Sequence, residues 1–270
     1  MTSDRIARLR IQLDDVEPAI WRRVEVPLTS SLKAVHDVIQ AVMLFEDYHL
    51  FQFEIGDRRY GYPDPEWGDE MRDARNARIG SILARGDARF TYTYDFGDDW
   101  RHTIMVEEIV AADPMLDYPR FIDGARRAPP EDVGGLPGFE EFLRVMADPV
   151  DQEHEATMTW YGRPFDADDI ALAIITQRLE KLARRRATGK AAFEKSRTAS
   201  TDHGGAHHAV VTGCLRPFIP LEPSLGSSTA RRTLRTGKVV TAPERLHSVS
   251  RAHPDPVHLG LPAGFWRSKI

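Results

Sequence analysis

The chain has 270 residues, 41% hydrophobic and 29% charged, with a net charge of −5 and a single cysteine, Cys214. These values exclude a disulfide scaffold and fit a cytoplasmic, soluble globular protein in a reducing compartment. No apolar run approaches the roughly 20 residues that span a bilayer, and the polar N-terminus shows no secretory signal, so no membrane partner is expected.

The charge is unevenly placed. Residues 1–185 carry 23 Lys and Arg against 36 Asp and Glu, a net of −13, and residues 186–270 carry 13 against 5, a net of +8. An acidic body repels phosphates, so nucleic acid is suggested only through the basic tail.

Alternating apolar residues predict a first strand over 5–13 and a second over Ala19–Val26, ended by Pro27. Thr29, Ser30 and Ser31 can cap a helix over about 31–44, with Leu32, Val35, Ile39 and Val42 on one face. A strand then begins at His49, turns at Gly56-Asp57 and returns over Arg58–Tyr62. Residues 63–77 read as a solvated loop and Arg78–Leu83 as a helical turn.

Phe90–Phe96 and Trp100–Val110 form the clearest hairpin. With a three-residue loop Gly97-Asp98-Asp99, Phe96 faces Trp100, Asp95 faces Arg101 and Tyr94 faces His102. Residues 113–137 read as irregular. A helix follows with Phe139, Phe142, Leu143 and Met146 on its face, and Asp166 can cap a last one to about 187, its face Ala171, Leu172, Ile175, Leu179 and Leu182. Beyond Gly189 no period persists, which predicts a basic tail of low order over 189–270 whose six histidines read as scattered and solvated.

Two stretches carry candidate chemistry. In the hairpin, Tyr94, Asp98, Trp100 and His102 make either an aromatic-walled ligand pocket or a core hairpin with a hydrogen-bonded histidine. In Pro129-Pro-Glu-Asp-Val-Gly-Gly135, two prolines and two glycines present Glu131 and Asp132 on a rigid loop, or simply cap the sheet. His49 meeting His102, Asp98 and Asp132 would make a His/carboxylate site for a divalent metal. The glycine motifs that bind nucleotides, the H-E-x-x-H zinc motif and the G-x-S-x-G elbow are missing.

The run Tyr94-Asp-Phe-Gly-Asp-Asp-Trp-Arg-His-Thr-Ile104 resembles the hallmark hairpin of the Ri-plasmid ORF-3-like family. Ile20-Trp-Arg-Arg23, His49-Leu-Phe-Gln-Phe53, the Pro129–Gly135 run followed by Gly138-Phe-Glu-Glu-Phe-Leu143, and Phe165-Asp166 are similar to it as well. The resemblance spans about residues 4–186 and implies an α+β fold: a mixed, mostly antiparallel sheet opening with a ββα unit, in a domain over 1–188. It also implies a passenger protein of plasmids and insertion elements, sometimes labelled TnpR, although no recombinase signature is present. Ala128 stands where members often carry a cysteine before the proline pair. Two functions follow as expectations: a non-catalytic accessory module binding a protein or small molecule, or a metal-dependent hydrolase.

Overall fold

The structure is a computed structural model that describes residues 4–63 and 71–202, with side chains through residue 197. Eight strands form one sheet in the order β5-β4-β3-β6-β7-β1-β2-β8, antiparallel except for the β4–β5 pair. The strands are β1 Arg5–Leu13, β2 Trp21–Pro27, β3 Phe51–Ile55, β4 Arg58–Gly61, β5 Met71–Asp73, β6 Arg89–Tyr94, β7 Trp100–Ala111 and β8 Arg120–Ala125. The helices are α1 Leu32–Met43, α2 Ile79–Leu83, α3 Gly135–Ala147, α4 His154–Tyr161 and α5 Leu172–Asp202. The fold is α+β, with the expected ββα opening. Among the described residues no helix is long and apolar enough to cross a membrane.

The period of two explains why this sheet has one dry face and one wet one. Leu9, Ile11 and Leu13 of β1 sit beside Val24 and Arg22 of β2 and Ile104 and His102 of β7. Tyr92 and Tyr94 continue that row to Phe53 and Phe51 of β3, and all these side chains are buried. The alternate residues carry ion pairs across the strands: Arg8 and Arg120 both meet Glu25, and Arg23 meets Glu107 at 2.6 Å.

Helix α1 lies on the dry face. The Ser31 hydroxyl accepts from the Ala34 N–H at 3.2 Å, the expected cap, and Leu32, Val35, Ile39 and Val42 are buried. At its other end the buried Arg22 guanidinium donates to the Val42 carbonyl at 2.9 Å, placing a positive charge where the helix dipole is negative. Helix α5 packs on α1 and β8 through Ile175, Leu179 and Ala183, one residue per turn.

Several expectations need correction. The hairpin register is Tyr94 opposite Trp100, Thr93 opposite Arg101 and Tyr92 opposite His102, so the loop runs over the five residues 95–99. The shift is even in residues, so Tyr92, Tyr94, Trp100, His102 and Ile104 still share a face, while Phe96 leaves it and is 48% exposed. The expected Asp95–Arg101 pair is replaced by Asp99–Arg101 at 2.7 Å. Strands β5 and β8 lie in stretches read as irregular, and α4 was not anticipated; β5 is only three residues long, and both strands are at the sheet's ends, where the apolar alternation fades. Helix α5 starts at Leu172 rather than at Asp166, whose carboxylate accepts from the Asp168 N–H in a turn, and Leu172 is 48% exposed. It also runs past Gly189 to Asp202, beyond the expected end of the folded body. The rest of the expected low-order tail, with its six histidines, Cys214 and its link to nucleic acid, lies outside the described residues.

Candidate functional site

The site forms at the end of the sheet where β6 passes into its hairpin loop. Tyr94 closes β6, and its hydroxyl is a hub: it accepts the backbone N–H groups of Tyr48 at 3.1 Å and His49 at 3.4 Å, and donates to Glu131 Oε1 at 3.0 Å. Glu131 Oε1 also accepts from the Glu46 N–H at 2.5 Å. One buried phenol thus fastens the α1–β3 loop to the Pro129–Gly135 loop. Burial and the adjacent Glu131 carboxylate both push the phenol's pKa up, so it stays a donor.

The next residue, Asp95, takes a left-handed backbone with φ 55°, as do Asp99 and Asp132. A short side chain that bonds its own backbone tolerates this geometry. Asp95 Oδ1 accepts from the Gly97 N–H at 2.9 Å and the Asp98 N–H at 3.4 Å. Its Oδ2 faces His49 Nε2 at 3.5 Å. Asp132 Oδ1 lies 3.0 Å from the same nitrogen, and Glu131 Oε2 lies 3.9 Å from it. The ligand atoms of His49, Asp95 and Asp132 all fall within 4.8 Å of one another.

Access across this cluster is graded. The Asp95 side chain is 10% exposed and Glu131 13%, against 30% for His49 and 66% for Asp132. Glu131 Oε2 is buried with no hydrogen-bond partner among the described residues. Burial raises the Glu131 pKa against the opposing pull of its two donors. Among the described residues no Lys or Arg pairs with any of these three carboxylates; Arg178 of α5, which reaches the loop after α1, is taken by Glu46 and the Phe45 carbonyl.

The remaining residues singled out in the sequence do other work. Asp98 Oδ2 accepts from the Gly134 N–H at 3.2 Å, and burial raises its pKa. A Cβ on Gly135, at φ +66°, would stand 2.8 Å from the Asp98 carbonyl oxygen, so the two loops interlock at a contact only glycine permits. Trp100 is 2% exposed and packs edge-on to Phe139 at 6.3 Å. His102 is fully buried, its Nδ1 donating to the Trp100 carbonyl at 3.0 Å, with Tyr92 and Phe45 around it. The hairpin aromatics therefore form core rather than pocket wall, and His102 is not gathered with His49 and Asp132. Asp95 belongs to the cluster although the three-residue loop had assigned it to Arg101. A five-residue loop, with Gly97 inside it, was the sequence signal that would have freed it.

A second cluster uses the same residue types. His36 of α1 sits between the Tyr92 hydroxyl at 2.8 Å on Nδ1 and Asp47 at 2.8 Å on Nε2, with Lys33 paired to Asp37 at 2.5 Å and to Asp47 at 3.5 Å.

A sheet with one face under helices, and a His/carboxylate cluster on the loops at its end, describes a class of small α+β protein with a polar end site. Within that class, this chain belongs to the plasmid pRiA4b ORF-3-like protein family, whose model matches residues 5–173. It is 40% identical over 158 residues to the uncharacterized protein y4hQ of Sinorhizobium fredii, covering 58% of this chain and 81% of that one. It is also similar to the crystal structure of the protein of unknown function MM3350 from Methanosarcina mazei Go1. That likeness has a TM-score of 0.58 and 34% identity, and covers 62% of this chain and 96% of the other. The loops that carry His49, Asp95 and Glu131-Asp132 all lie inside the family match.

Proposed function

We propose that this protein is a divalent-cation-dependent binding module, with His49, Asp95 and Asp132 holding the ion and Glu131 beside it. The observation that carries the reading is the convergence on His49 Nε2 of Asp132 at 3.0 Å and Asp95 at 3.5 Å, with no Lys or Arg among the described residues paired to them. Ligand atoms on one divalent ion, each about 2.1 Å from it, stand roughly 3 Å apart, which matches these separations. One imidazole with two or three carboxylates suits Mn²⁺, Fe²⁺ or Zn²⁺ better than soft Cu(I).

The setting we propose is that of an accessory protein of plasmids and insertion elements, working in the cytoplasm. The plasmid frame that names the family and the single Cys214 support it. A hydrolase is the second reading, and Glu131 favours it. Set back 3.9 Å from His49 Nε2, with a buried free oxygen and a raised pKa, it has the position of a proton acceptor for a water held at the site.

Calorimetric titration of the metal-stripped chain with Mn²⁺ and with Zn²⁺ tests the primary reading. Saturable one-to-one binding is expected, weakened about 100-fold, or roughly 2.7 kcal/mol, by His49→Ala or Asp132→Asn. Binding that ignores both substitutions places the ion elsewhere and ends the proposal.

A further inference from the structure

Beside the cation cluster lies a cleft of about 330 Å³. Asp132 is a member of the cluster and Glu131 stands 3.9 Å from His49 Nε2, so the cleft borders the cluster at these two residues, with Glu46 also in its lining. The lining mixes carboxylates and arginines with a flat stretch of rings. Pro129 and Pro130 supply one part, and Trp160 and Tyr161 at the end of α4 supply another. Both aromatic rings are rooted edge-on against Phe142, at 5.9 and 5.4 Å, yet Trp160 remains 44% exposed. An anchored, half-open indole is a ready stacking surface.

The cleft also holds two arginines in different states. Arg127 is committed to Asp169 at 2.7 Å. Arg163 lies over the Tyr161 ring at 5.4 Å and has no carboxylate partner among the described residues. A flat aromatic stretch of wall, a guanidinium without a carboxylate partner among the described residues and a cation-binding end suit an occupant that is planar and carries one negative group.

We propose that the cleft binds a planar aromatic acid, its ring against Trp160 and Tyr161 and its carboxylate between Arg163 and the bound cation. The inference rests on the cation reading above. It carries a sign with it. Without the cation, Glu131 and Asp132 repel an anion at that end; with it, they no longer do, so acid binding depends on the metal.

Benzoate is the probe, with benzamide as its neutral counterpart, each titrated into the Mn²⁺-loaded full chain and the metal-stripped chain while tryptophan fluorescence is followed. Benzoate should bind the loaded chain at least tenfold more tightly than it binds the stripped chain, and at least tenfold more tightly than benzamide does. Arg163→Ala, an exposed position, should cost benzoate about tenfold and leave Mn²⁺ affinity unchanged. Normal Mn²⁺ binding with benzoate and benzamide indistinguishable, or with Arg163→Ala silent, overturns the aromatic-acid cleft alone. Failure of Mn²⁺ to bind at all overturns both readings.

Discussion

Two histidine–carboxylate clusters lie within one loop's length of each other, and they are built to opposite ends. Around His36 every group is answered: Tyr92 on one ring nitrogen, Asp47 on the other, Lys33 to balance Asp37 and Asp47. Around His49 the ingredients are similar, but among the described residues no Lys or Arg pairs with the carboxylates and one carboxylate oxygen is buried without a donor, while the outer aspartate is open to water. Closed networks of this kind rigidify a fold, whereas an incomplete one leaves a binding demand unmet. The difference shows why a list of His and Asp positions does not find a site. What matters is whether the chain supplies the counter-charge itself.

The sharpest way to break that contrast is to delete each imidazole. His36 is fully buried, so His36→Ala removes the ring and leaves the Tyr92 hydroxyl with Gln40 alone and Asp47 with Lys33. We expect a loss of about 3 kcal/mol in urea unfolding, with Mn²⁺ affinity of the folded fraction intact. His49→Ala, at a partly exposed position, should cost about 1 kcal/mol or less while cation binding collapses. Equal stability losses from the two would mean that both clusters are structural.

Acid should expose the core side of the comparison. Burial drives the His102 pKa down from 6.5 to about 4, with hydrogen bonds to backbone groups only partly opposing it. The unfolded chain therefore takes up the proton first as pH falls. The stability His102 contributes as a neutral ring is complete above pH 6.5 and drains away toward pH 4, by about 3 kcal/mol in all. Burial lowers the His36 pKa as well, so that ring adds in the same direction. His102→Phe removes one titration. Its urea stability should fall less steeply between pH 6.5 and 4 than that of the parent chain, and parallel curves would show that His102 does not titrate in this way.

Local pattern exposed most of the frame. The hairpins, α1 with its Ser31 cap, and the shared face of Tyr92, Tyr94, Trp100 and His102 all follow from periods of 2 and 3.6 written in the residues. Strand β8 did not show, because it pairs along one edge only and its Arg120–Ala125 stretch buries no side chain fully. The site was legible in parts. The chain could present His49, Glu131 and Asp132 as unusual, since each sits in a distinctive local run. It left open whether the face that carries His102 is core or pocket wall, and it could not show that Asp95 joins His49. The second fact depends on one hairpin register, and the choice between a three- and a five-residue loop turned on packing against residues more than 30 positions away.

Paired isosteric changes give the finest test of the contrast. Asp47 is held ionised, its pKa lowered chiefly by the hydrogen bond from His36, so its charge favours the fold. Glu131 is the reverse: burial raises its pKa, so its charge opposes the fold at neutral pH and ceases to as the group protonates. Asp47→Asn should therefore destabilise the cation-free chain. Glu131→Gln keeps an oxygen for the Glu46 N–H and the Tyr94 hydroxyl and removes the charge. It should leave stability unchanged or raise it by up to about 1 kcal/mol, a gain that shrinks on acidification. The same substitution should weaken Mn²⁺ about tenfold. Stability and affinity moving in opposite directions on one substitution is what a binding site predicts. A fall in both would make Glu131 a structural clamp between the two loops.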